Sequence, residues 1–475
     1  MEAVLGTVAV GLGAEHRTHL VVVDAPQSSA VPSDAPSLAD VLALLGSVPL
    51  AADGAGKIGQ LRELEDLKSA VGARQADTAV AFDVQQRREQ AAAGVPVDEQ
   101  GAGVGAQIAL ARRESPARGS RLLGLARTLT GMPHTFAAFR AGLLNEWRAT
   151  LIVKETICLS AGDRAGVDQE LAADTGALDG AGDRAVIAAV RAAAYRRDPA
   201  SVAKRAARAV TERTASLRPA PDTMTYLTAL LPAAQGVAAY AALTRDADTA
   251  RSAGDDRSRG QVMADTLVER LTGTPGRISG VQIQLVMTDR TLLQADAEPA
   301  RLPGYGVLPA ARARDIALNS AGHNEPSLWV RRLYTAPGSW ELLAMDSKAR
   351  LFPAGLKRFL HIRDDTCRTP YCDAPIRHHD HITAWHNAGP TSAGNGQGLC
   401  EACNHTKETP GWTAKPVPGP RHTVATTTPT GHTYHSTAPP LPGTRFHFLG
   451  TALPPRIHGP RQLRQRAELW ESGVP

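Results

Sequence analysis

Residues 367–372 read Cys-Arg-Thr-Pro-Tyr-Cys, and residues 400–403 read Cys-Glu-Ala-Cys. The first pair has four residues between its thiols, the second has two, and 27 residues separate the pairs. Four thiolates at about 2.3 Å from one tetrahedral zinc ion require two close pairs, each on a tight turn. Pro370 suits one turn, and a helix beginning after Cys400 suits the other. Only five cysteines occur in 475 residues, so this pattern takes all but Cys158. The spacing predicts one structural Zn²⁺ held by Cys367, Cys372, Cys400 and Cys403. The rival reading is small buried hydrophobes or a redox pair. A segment of about 55 residues with so few large apolar groups also needs a staple, which a metal supplies.

Chemistry-bearing residues fill the space between the pairs. They run Ile376-Arg-His-His-Asp-His-Ile382, then Trp385-His-Asn-Ala-Gly-Pro-Thr391, then Asn395, with Asn404-His405-Thr-Lys407 just beyond. Eleven of the 15 histidines lie at or after His361. The charge divides the same way. Residues 351–475 hold 13 Lys and Arg against 8 Asp and Glu, which is the whole net charge of +5, while residues 1–350 carry 39 of each sign. A net +5 alone describes a solvated surface and does not imply nucleic acid.

Further out, composition removes several classes. An apolar fraction of 43% with 21% charged residues is that of a folded globular protein. No run of about 18 apolar residues marks a membrane span. Glu15, His16 and Arg17 interrupt the early apolar stretch, which argues against a secretory leader and makes the cytoplasm the expected location. No glycine pattern of the nucleotide-binding kinds follows a strand-like run.

Upstream of the cysteines the text is helical. Residues 1–56 carry no firm pattern beyond a short strand at Val21–Val23 and a loop from Pro26 to Pro36. From Lys57 to about Leu217, Ala, Leu, Arg and Glu recur at helical spacing, and Leu61, Leu64, Leu67 and Val71 form a stripe expected to face a core. Stops stand at Gly94-Val-Pro96, Gly131-Met-Pro133 and Asp198-Pro199. Met224–Leu231, Ile278–Val286, Leu328–Tyr334 and Trp340–Met345 read as strands, and Ala233–Thr244 and Gln261–Leu271 as helices. Past Trp412, the Pro/Thr/Gly-rich stretch from Pro416 reads as a basic tail, with Thr423–Thr427 and Thr433–Thr437 as a solvated hairpin.

The order Asp380-His-Ile382, Gly389-Pro-Thr-Ser392, Asn395-Gly396, Gly398-Leu-Cys400 and Cys403-Asn404 to Lys407 resembles an HNH (His-Asn-His) nuclease module. The lead-ins at Asp346–Pro353 and Arg363–Pro370 are similar to those of actinobacterial HNH signature proteins. Their helical N-terminal region belongs to domain-of-unknown-function family 222, which Gln100–Ala106, Ala109–Ser115 and Arg148–Arg164 resemble. This resemblance implies a mainly α N-terminal domain (57–350) with a small mixed α/β connector. It also implies a treble-clef-like ββα-metal zinc module (351–415), set between the 1–56 segment and the 416–475 tail. It implies DNA as partner and endonuclease chemistry that uses a catalytic divalent ion, Mg²⁺, Mn²⁺ or Zn²⁺. His381 would be the general base on water, a role that an imidazole titrating near about 6.5 can fill at neutral pH. Asp380 would be a hard carboxylate ligand to the ion, and Asn395 the brace of the loop. Asn404 stands where many relatives carry His and would be the second metal ligand, with His405 as neighbour or substitute. Arg377 and Lys407 are candidate phosphate contacts. Strand alternation would put His379 and His381 on one face and Asp380 on the other, so the strand must bend or end there, or His379 becomes the ligand. Two alternatives stand beside cleavage. One is a zinc-stabilised nucleic-acid-binding module. The other is a partner-binding adaptor, marked by an exposed apolar groove within 57–350.

Overall fold

The structure, a computed structural model, describes residues 36–174, 178, 180–273, 284–319 and 351–442. Its chain is mainly helical with small sheets. Helices α1 (Leu38–Ser47) and α2 (Gly54–Ala92) come first. A helical body follows: α3 (Val104–Arg112), α4 (Pro116–Leu129), α5 (Pro133–Arg140), α6 (Glu146–Thr156), α7 (Ala161–Ala172), α8 (Asp183–Arg197) and α9 (Pro199–Ala209). Local chemistry sets these boundaries. Ser115, Asn145, Ser160 and Asp198 each accept a first-turn N–H, and Pro116, Pro133 and Pro199 open their helices, where a missing donor costs nothing. All three stops read from the sequence coincide with breaks between helices.

The core of the body gathers Leu129, Met132, Phe136, Phe139, Ile152, Val167, Val186 and Val190. A buried polar group pins α7 to it. Asp168 accepts from the backbone N–H of His134 and Thr135, both at 2.8 Å, and from Thr135 Oγ1 at 2.6 Å, which caps the start of α5 from another helix. The stripe expected to face a core does not do so. Leu61, Leu64, Leu67 and Val71 are exposed, and α2 instead buries Ser69, Ala73, Ala76, Asp83 and Gln86.

A more open section follows. Strands β1 (Thr214–Pro219) and β2 (Thr225–Leu230) form an antiparallel hairpin, so the helical text ends before Leu217. Helices α10 (Ala233–Ser252) and α11 (Arg259–Thr272) pair with each other and extend the two helices read there. Then come α12 (Asp289–Leu293), the hairpin of β3 (Ala300–Leu302) with β4 (Gly306–Leu308), and α13 (Ala310–Asn319). Val286 bridges Arg301, but the rest of the Ile278–Val286 strand is mostly outside the described residues. The readings at Val21–Val23, Leu328–Tyr334 and Trp340–Met345 also lie outside them.

The cysteine-bearing module opens with α14 (Ala354–Asp364) and continues through the antiparallel pair β5 (His378–His381) and β6 (Gly396–Leu399) into α15 (Glu401–Lys407). Beyond it, β7 (Thr413–Val417), β8 (Thr423–Thr427) and β9 (Thr433–Thr437) make a three-stranded antiparallel sheet. The expected solvated tail is thus a packed element up to Ala438, with Val424, Ala425, Thr428 and Ala438 buried. Trp412 and Tyr434 pack on Ala106 and Leu110 of α3, and Thr430 Oγ1 lies 3.0 Å from Gln107 Oε1. Gly103, at φ +78°, is required at this seat, because a Cβ there would stand 2.8 Å from Trp412 Nε1. Among the described residues, no helix is long and apolar enough to cross a membrane.

Candidate metal centre and hairpin–helix site

The four predicted thiols converge. Cys367 follows α14, and its N–H donates to Ala374 O at 2.9 Å, closing the first knuckle; Cys372 N–H closes a turn onto Thr369 O at 3.0 Å. Tyr371, at φ +63°, makes that turn tight. Cys400 is the N-cap of α15, so its Sγ and that of Cys403, one turn later, face the same point. All four sulfurs lie within 4.8 Å of one another, with Cys372 and Cys400 at 3.9 Å, and none forms a disulfide. Thiolates at about 2.3 Å around a tetrahedral ion stand about 3.8 Å apart, so the donor set fits one metal ion. Without a cation the four cannot ionise together. Donating their S–H to Cys367 holds Cys372 and Cys403 above the ordinary thiol range, while accepting within the same network pulls Cys400 below it.

A second buried cluster, not read from the sequence, ties this knuckle to the sheets. Arg363 donates to Ala393 O at 2.6 Å and Gly396 O at 2.8 Å, and it pairs with Asp364 at 2.7 Å. Asp364 accepts the N–H of Gly398 at 2.8 Å, and Arg368 donates to Ser436 O at 2.5 Å. Burial pushes the Arg368 guanidinium down to about 10. Beside them, His422 holds Gly394 O at 3.0 Å, and burial pushes its imidazole down to about 4, with Arg363 adding to the effect. The adjacent opposite pair Arg363-Asp364 is not distinguished by spacing rules from a solvated pair, although Arg363, Asp364 and Arg368 all stand in the Arg363–Pro370 run that resembles the HNH lead-in.

The hairpin and α15 place the remaining candidates in three groups. Asp380 takes Lys407 Nζ at 2.9 Å and Gln397 Nε2 at 3.1 Å. Lys407 also donates to His381 O at 2.7 Å, so this predicted phosphate contact is turned inward as the partner of the predicted metal ligand. Gln397 carries no sequence signal of its own, yet it stands directly opposite Asp380 in the hairpin register. Asn404 is half-buried on α15, one turn before Lys407. His405 is exposed and faces the ring of His378 at 6.3 Å between centroids, so it is not gathered with Asp380. Arg377 is exposed, with its backbone N–H on Leu399 O at 2.8 Å.

His381 forms the second group. Its Nε2 lies 2.8 Å from Thr391 Oγ1, and its ring sits between Phe352 at 4.5 Å and Trp385 at 5.8 Å. Gly396, paired with His381 in the register, leaves room for Phe352, which would stand 2.8 Å from a Cβ there. β5 ends at His381, and Asp380 and His381 address different neighbours, as strict alternation requires. His379 instead is half-buried near Lys357 and His361, and burial lowers its pKa.

Asn395 forms the third group. Its Oδ1 accepts Thr383 N–H at 2.8 Å, and its Nδ2 donates to Thr383 O at 3.0 Å and Pro390 O at 2.9 Å. The amide thereby closes the loop that presents Thr391 to His381. Thr391 itself is buried, and within the Gly-Pro-Thr-Ser run no charge or ligand chemistry marks it out in the sequence.

The family model described as a domain of unknown function (DUF222) matches residues 63–364. The chain belongs to that family. The DUF222 match runs from α2 to the end of α14 and stops before Cys367, the first of the four clustered cysteines. An uncharacterized protein of Mycobacterium tuberculosis (strain ATCC 25618 / H37Rv) is 34% identical over 170 residues, covering 33% of this chain and 31% of its own. The chain thus spans about a third of that relative's length. No solved structure matches.

Proposed function

We propose that this DUF222 protein is a metal-dependent HNH-type endonuclease that hydrolyses DNA phosphodiester bonds, with zinc in the four-cysteine site. The observation that carries the reading is the antiparallel pair β5–β6 packed with α15 beside a four-thiol knuckle, with Asp380 and His381 at the strand's end. The His381 imidazole takes the proton of the attacking water, and Asn395 and Thr391 hold the loop that orients it. Asp380 and Asn404 would hold the divalent ion, which neutralises charge on the phosphate. That ion has to take the place of Lys407 on Asp380, which frees the ammonium for a phosphate oxygen. His405 has no part in this set.

One observation favours a second reading. Asp380 is already neutralised by a lysine, as suits a nucleic-acid-binding module that does not cut. Purified full-length protein incubated with plasmid, with and without Mg²⁺ or Mn²⁺, separates the two. Nuclease function requires ion-dependent nicking that His381→Ala lowers by about 10²–10⁴-fold while DNA affinity persists. Asp380→Asn should abolish the ion dependence. Retarded DNA with no nicking in any ion, or nicking untouched by both variants, would reject the nuclease reading.

A further inference from the structure

Residues 36–68 contain no buried residue. They comprise α1 and the first 15 residues of α2, a helix of 39 residues and so about 58 Å in length. This arm is apolar: eleven of its aliphatic side chains, and Val71 just beyond it, are each two-fifths or more exposed. Leu64, Leu67 and Val71 lie on the side of α2 opposite Ser69, Ala73 and Ala76, which face the body. Helix α1 shows Leu38, Leu42 and Leu44 to solvent. An isolated helix of ten residues is marginal in water, even with the capping box of Ser37 and Asp40 that starts this one. It needs a surface to lie on.

We infer that the arm is a dimerisation element, with α1 of one copy packed on the exposed stripe of α2 in a second copy. Three observations select that occupant. The chain carries two apolar faces that leave each other uncovered, so a second copy supplies the complement of both, and the exchange closes on itself with two-fold symmetry. Twelve such side chains amount to an area on the order of the 800 Å² per partner that a stable dimer buries. Charge does not oppose the pairing, since Lys57, Arg62 and Lys68 balance Glu63, Glu65 and Asp66 along the stripe. A lipid surface is disfavoured, because α1 carries Asp40 and no cation.

Light scattering on the full chain tests this and does not depend on nuclease activity. The wild type should have twice the 50.1 kDa of one chain. Leu42→Glu with Leu45→Glu, and separately Leu61→Glu with Leu64→Glu, should each give a monomer with unchanged unfolding of the helical body. Mixing the two variants should restore part of the dimer, because one intact α1 then meets one intact stripe. A wild type that stays monomeric, its arm amides already protected from exchange, would mean that the chain covers its own face and would overturn the inference. A dimer whose mass neither pair changes, or variants that never recombine, would overturn it as well.

Discussion

The helical body buries Phe139, Leu129, Met132 and Ile152 around one another, whereas the module beyond Leu351 buries Arg363, Asp364, Arg368 and Gln397 beside four thiols. The body rests on apolar area removed from water, which needs no cofactor and responds little to pH. The module has small apolar clusters, such as Phe352, Leu356, Leu360 and Ala393, and is held by ionic and sulfur contacts whose strength depends on conditions. Two parts of one chain should therefore fail under different stresses, although they meet at Trp412 and α3.

The largest difference should come from disrupting the four-thiol site, which could hold a metal ion. Binding at a four-thiolate site contributes about 10 kcal/mol or more to the folding of a small unit. Cys403→Ser should erase the module's thermal transition while leaving that of the helical body in place, as calorimetry with elemental analysis can show. Unchanged ion content in that variant would remove the contrast at its root.

Next is the buried ionic staple. Asp364→Ala strands Arg363 and Arg368 without their shared carboxylate, and should cost about 3–5 kcal/mol in denaturant unfolding of the module. Phe139→Ala should cost a similar amount in the body, by leaving a cavity, and should leave ion content alone. If Asp364→Ala costs under about 1 kcal/mol, polar contacts do not hold the module in the way this comparison requires.

Acid should separate the regions by a smaller amount. His422 is neutral when folded, because burial depresses its pKa to about 4 from the ordinary 6.5. Between those values the unfolded chain takes up a proton that the folded chain refuses. Its contribution is thus intact above pH about 6.5 and declines toward pH about 4, by about 3 kcal/mol in total. His422→Gln should flatten that portion of the module's stability curve relative to wild type. Superimposable curves for the two proteins would exclude His422 as the titrating group.

The smallest effect belongs to the surface of the body. Arg191 pairs with Glu155 at 2.9 Å but is two-thirds exposed, so Arg191→Ala should cost no more than about 1 kcal/mol, and less in high salt. A larger loss would mean that the body, too, leans on charge.

Particular residues show how far the chain's text could be read. Pro133, Pro199 and Gly94 punctuate helices through their own backbone limits, so those boundaries were visible. The thiols were visible because metal geometry restricts their spacing. Leu61 and Leu64 misled, since helical periodicity identifies an apolar face but not what covers it. Thr423–Thr437 misled in the opposite direction. Its small polar residues gave no apolar signal, yet β8 is buried between two strands and beside the helical body.

The sequence by itself determined three of the breaks between helices, that four cysteines form one donor set, and which stretch of the chain folds as the hairpin–helix site. These follow from interactions that reach only a few residues along the chain or from the stringent geometry of one ion. Only the tertiary structure decided that Lys407 turns inward to Asp380, that His405 turns away to His378, and that Arg363 and Asp364 are buried together. Each of those outcomes depends on which face of one element meets another. A one-residue rotation of α15 or a one-residue slip of β5 against β6 would reverse them without altering any local propensity.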